Sequence, residues 1–84
     1  MQEIKALLRR IRDGEITYMP KNTEEVSLIE FQETAKLFIE AMNLGFLTKN
    51  ANTIFENNSG FRYCTLCVAM GGLSDKGRDI LLED

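Results

Sequence analysis

Leu28, Phe31, Ala35, Phe38 and Met42 are separated by alternating steps of three and four residues, the spacing that lines one face of an α-helix. No other stretch of the chain carries so regular a stripe, and it commits the middle of the protein to one long helix. Ser27-Leu-Ile-Glu30 reads as a capping box at its start, with the Ser27 hydroxyl and the Glu30 carboxylate exchanging bonds with each other's backbone amides. Val26 and Phe31 are spaced for a hydrophobic staple across the same turn. Gly45 follows as a stop signal, so a helix is predicted over about 28–43. Ile29, Leu37, Ala41 and Leu44 lie off the main stripe, which makes the apolar arc wide enough for a second contact.

The flanking segments are shorter. Ile4, Leu7, Leu8 and Ile11 define an amphipathic helix near 2–13, ended by Gly14, with Lys5, Arg9 and Arg12 opposite the apolar face. Glu15–Pro20 suits a short extended piece. Strand-like runs on either side of Asn57-Asn-Ser-Gly60 predict a β-hairpin near 51–70 with a four-residue connection. Gly71-Gly72 ends the second strand, and Ser74 is placed to cap a last helix near 75–83. The expectation is one α+β domain over residues 1–84.

That element order resembles the winged helix–turn–helix domains. The resemblance rests on Met42-Asn-Leu-Gly-Phe-Leu47, similar to the Leu-Gly-Leu/Phe-Ile/Leu that ends the long helix of many small bacterial members. It rests also on Leu73-Ser-Asp-Lys-Gly-Arg-Asp-Ile-Leu81, similar to the Leu-Thr-x-Lys-Gly-x-x-x-Leu that follows their wing. In this chain the helix that usually precedes the recognition helix is reduced to Asn22–Val26, one turn at most. The resemblance implies a winged-helix-like fold and a DNA-associated transcriptional regulator acting as a dimer. A protein-interaction module without DNA binding is the alternative on the same fold.

Composition limits what such a domain can do. The chain has 84 residues and no His, which removes the commonest general base and metal ligand together. No nucleophile–base pair is identifiable, so neither an enzyme nor a bound cofactor is expected. Gly72–Gly77 has the Gly-x-x-x-x-Gly spacing of a P-loop, but Arg78 and Asp79 stand where that motif needs Lys and then Ser or Thr. The stretch is expected to start a helix and to bind no nucleotide. No apolar run is long enough for a membrane span and no signal segment is evident, which makes the cytoplasm the expected location.

Cys64-Thr-Leu-Cys67 supplies two of the four ligands a structural zinc needs, so a metal would require two pairs pooled across a dimer. Three positions apart on a regular strand, the two side chains point to opposite faces about 10 Å apart. They are expected to be small strand residues, one of them facing the core.

Three sets of residues are candidates for a binding site. Lys5, Arg9, Arg12 and Arg62 could contact a DNA backbone. Gln32, Lys36 and Asn43 fall on the outer side of the long helix and could read bases, although Glu33 and Glu40 share that side and give it a net negative charge. Leu37, Ala41 and Leu44 form the second stripe, suited to a homodimer or protein partner if no element of the same chain covers it. The net charge of −3 fits a dedicated nucleic-acid binder poorly.

Overall fold

The computed structural model describes residues 2–83. Its elements are α1 (Gln2–Arg12), β1 (Thr17–Tyr18), α2 (Glu25–Asn43), β2 (Asn52–Asn58), β3 (Phe61–Val68) and α3 (Asp75–Leu82). The strands form an antiparallel sheet in the order β1-β3-β2, so the fold is α+β with β3 at the centre of the sheet. Leu8, Phe38, Cys64 and Cys67 are the largest fully buried side chains, and they come from α1, α2 and β3. Among the described residues, no helix is long and apolar enough to cross a membrane.

Glycine ends both of the first two helices by the same device. Gly14 has φ +102° and donates to the Ile11 carbonyl, while the Glu15 amide reaches back to Arg10. Gly45 has φ +81° and donates to Met42, while the Phe46 amide reaches back to Ala41. Each pair of bonds is a Schellman motif, which a left-handed residue completes at no side-chain cost.

The start of α2 differs from the expected one. The helix begins at Glu25, and Ser27 lies inside it; Glu24 occupies the cap position without a side-chain bond. Asn22 directs the chain instead, its Oδ1 accepting from the Glu24 amide at 2.9 Å in an Asx-type turn. Glu25 in the first turn favours that start through the helix dipole. Val26 is 67% exposed and staples nothing. Between β1 and α2 no described residue is helical, so Glu25 and Val26 of the reduced preceding turn belong to the long helix itself.

The hairpin also turns more tightly than expected. Asn57 and Asn58 pair with Arg62 and Phe61, which leaves only Ser59 and Gly60 in the loop. Both have positive φ, 54° and 84°, as the central residues of a type I′ turn must. Further down, the register shifts between Ile54 and Phe55: Ile54 pairs with Leu66 and Phe55 with Cys64. Thr65 is therefore an extra residue on β3, a β-bulge.

Ser74 caps α3 as expected, its Oγ accepting from the Gly77 amide at 3.1 Å and donating to the Gly45 carbonyl at 2.6 Å. The Ser74 amide also donates to the Phe46 carbonyl, so one serine ties α3 to the end of α2. A Cβ built on Gly77 would lie 2.1 Å from that same Phe46 oxygen. The glycines and serine of the 72–77 stretch are thus a joint between two helices.

Helix propensity alone would make Gly77→Ala stabilising by about 1 kcal/mol. Because the clash is with backbone, the expected result is a net loss of about 1–3 kcal/mol in urea denaturation. Phe38→Ala, which opens the centre of the core, is expected to cost about 3–5 kcal/mol in the same assay.

Candidate interaction site

The face of α2 turned toward the sheet is occupied by an unexpected residue. β1 is short and pairs with β3 only at Val68 and Cys67, so the edge of β3 beyond Cys67 is left without a strand. Gln32 takes the place of one. Its Oε1 accepts from the Cys64 amide at 2.9 Å, and its Nε2 donates to the Cys64 carbonyl at 2.9 Å and to the Leu28 carbonyl at 2.8 Å. A carboxamide has the donor and acceptor of a peptide group and can pair with a strand edge as a neighbouring strand would. Gln32 is half-buried in this role, and its amide is spent on the protein's own backbone.

The outward face of α2 is exposed. Lys36 and Asn43 are exposed there, as are Glu25, Glu30, Glu33 and Glu40. At the amino-terminal end Val26 and Ile29, 67% and 52% exposed, are neighbours one turn apart. A shallow groove of about 190 Å³ at the same end is lined by Met19, Pro20, Lys21, Ser27, Glu30 and Phe31. The expected second stripe is not a free surface. Ala41 is fully buried, Leu37 packs against the core beside Ile4 of α1, and only Leu44 is exposed. Sequence reasoning assigned Val26 to a staple and thereby missed it as a surface residue; the Asx turn that moves the helix start is a weak signal at Asn22.

The basic candidates are distributed over separate elements. Lys5 and Arg9 are half-buried on α1, and Arg12 is exposed with its Nε donating to Asp13 Oδ1 at 3.2 Å. Arg10, beside them, forms a two-pronged pair with Glu15 at 3.0 and 2.8 Å and places its guanidinium 5.0 Å from the Tyr18 ring centre. The bonds to Glu15 hold the Arg10 proton more tightly, and those from Arg10 draw the Glu15 carboxyl below its ordinary range. Tyr18 is buried with no partner for its Oη, and burial pushes the phenol up. Arg62 lies on the hairpin, stacked 5.3 Å from the centre of the Phe55 ring, while Phe61 and Tyr63 meet at 6.4 Å. Phe61 is 63% exposed.

Cys64 and Cys67 do not follow the expected alternation. Both are fully buried and their Sγ atoms are 3.6 Å apart, so they share one side of the strand. The bulge is the reason: Thr65 adds a residue between them and turns Cys64 to the same side as Cys67. Both thiols are free, and burial pushes the Cys67 thiol up, aided by its hydrogen bond with Cys64. Among the described residues, no three His, Cys, Asp or Glu side chains gather into a possible metal site.

Comparison with known proteins gives no matching family model, no matching curated protein and no matching solved structure.

Two outcomes follow from these contacts. Gln32→Ala would leave the Cys64 amide and carbonyl unpaired, and a loss of about 1–3 kcal/mol is expected in urea denaturation. Glu15 has a lowered folded pKa, so its contribution is present above the ordinary glutamate range and is lost as pH falls through the folded value. Glu15→Gln should lose that contribution at neutral pH, where the variant is the less stable, and converge with the unsubstituted protein in acid, so its stability–pH curve falls less steeply on the acid limb.

Proposed function

We propose that this chain is a small, non-enzymatic, winged-helix-like module that docks on another protein rather than in the major groove of DNA. The sheet order β1-β3-β2, a long helix followed by a hairpin, and a capped final helix support the winged-helix frame. The outward face of α2 carries the functional reading. In the position a groove-reading helix would use, it presents Glu25, Glu30, Glu33 and Glu40 against Lys36, with Val26 and Ile29 exposed beside them. Phosphates would be repelled by that charge, whereas a basic and apolar protein surface would complement it. Gln32, one of three residues suited to base reading, has its amide turned to β3. Two buried free thiols suit a reducing compartment, the cytoplasm.

The second reading is a DNA-associated transcriptional regulator, and one observation favours it. Arg62 stands exposed on the hairpin beside Asn57, where a wing would meet a phosphate backbone, and Lys36 and Asn43 face outward on α2. Lys5, Arg9 and Arg12 would add backbone contacts in that reading.

Fluorescence anisotropy with random duplex DNA separates the two. The docking reading predicts no association at low salt tighter than about 10⁻⁴ M, the weak end of non-specific binding. Micromolar binding that weakens steeply with added salt and is lost on Arg62→Ala would overturn it in favour of the regulator.

A further inference from the structure

The pair of cysteines is not used by the proposed docking surface, and its placement is specific. A regular strand would hold the two side chains on opposite faces; the bulge at Thr65 brings them into sulfur–sulfur contact at 3.6 Å. Cys64 Sγ also lies 3.5 Å from the Leu66 carbonyl, the peptide immediately before Cys67. A disulfide requires the sulfurs to approach to about 2.05 Å, a closure of roughly 1.5 Å. Cys64 is also the residue whose amide and carbonyl are both held by Gln32 of α2. A shift of the Cys64 backbone toward Cys67 would pull on the contact between the central strand and the long helix.

The geometry points to Cys64 and Cys67 as a redox modification site: a peroxide oxidises them to an intrastrand disulfide that loosens the Gln32 clasp. In the first step a cysteine sulfur, giving up its proton as local opening exposes it, attacks one peroxide oxygen; the O–O bond breaks, and the departing hydroxide takes that proton and leaves as water, with formation of a sulfenic acid. In the second, the other sulfur attacks the sulfenic sulfur, the S–O bond breaks, and the hydroxyl departs as water with the thiol proton. Two thiols and one hydrogen peroxide become one disulfide and two waters, the peroxide accepting both electrons. Hydrogen peroxide is small enough to reach a buried pair through local opening of the hairpin, and the bulge interrupts the ladder next to the pair.

The full chain, treated with hydrogen peroxide, unfolded and alkylated, tests the proposal by mass spectrometry. The expected product has lost two hydrogens and takes up no alkylating group, and dithiothreitol restores both. Cys64→Ala and Cys67→Ala should each abolish that product. If either variant fails to fold, amide exchange on the unsubstituted protein provides the second test. In the oxidised form the Cys64 amide should exchange about tenfold faster, as expected for losing the net worth of one hydrogen bond. Two results overturn the inference. One is full alkylation after an exposure that oxidises the urea-unfolded chain; the other is a disulfide that leaves exchange at Cys64 unchanged. Neither readout involves a binding partner, so both are independent of whether the outer face of α2 docks on protein.

Discussion

The structure depends on how a side-chain amide completes a sheet. Among the described residues β3 is the only strand with a neighbour on each side, yet β1 covers just its last two residues. Past that point the backbone of Cys64 would face the long helix with an unpaired donor and acceptor, each expensive to bury. Gln32 supplies both partners from one carboxamide. The register of α2 against the sheet is thereby set by directional bonds as well as by the packing of Phe31, Ala35 and Phe38. A helix fastened in this way presents a fixed outer face, here the acidic one with Val26 and Ile29 at its start.

Backbone devices at the ends of the elements complete the arrangement. Gly45 reverses the chain after α2 so that Phe46 enters the core, and the Phe46 carbonyl then receives the Ser74 amide and the close approach of Gly77. One residue thus joins the ends of two helices. Leu47 and Leu73 form a single antiparallel bridge beside this joint. Ser74 and Gly77, in the stretch that shares its spacing with a phosphate loop, make this closure.

Elements governed by local rules were legible in the sequence: both Gly-terminated helices, the Ser74 cap and the core stripe of α2. Features set by competition between local signals were not. Ser27 and Glu30 satisfy the pattern of a capping box, but Asn22 forms its turn first and Glu25 extends the helix over the box. Asn57-Asn-Ser-Gly60 contains four residues tolerant of positive φ, of which the ladder leaves only two in the turn. The bulge at Thr65 has no mark in the local sequence, and without it the two cysteines read as pointing apart. Of the candidate site residues, Lys36 and Asn43 lie where helical periodicity puts them. Gln32 does not, because its role exists only once β1 is known to stop short of Cys64. Nor were the burial of Ala41 and the partial burial of Leu37 readable from a single helix.

The most direct test is nuclear magnetic resonance of the side-chain amides, since the chain contains only two glutamines and Gln2 is exposed. The Gln32 carboxamide protons should exchange slowly with solvent and show contacts to the β3 backbone around Cys64, while those of Gln2 exchange freely. A Gln32 amide exchanging as fast as that of Gln2, with no contact to β3, would contradict the clasp and the orientation of α2 built on it.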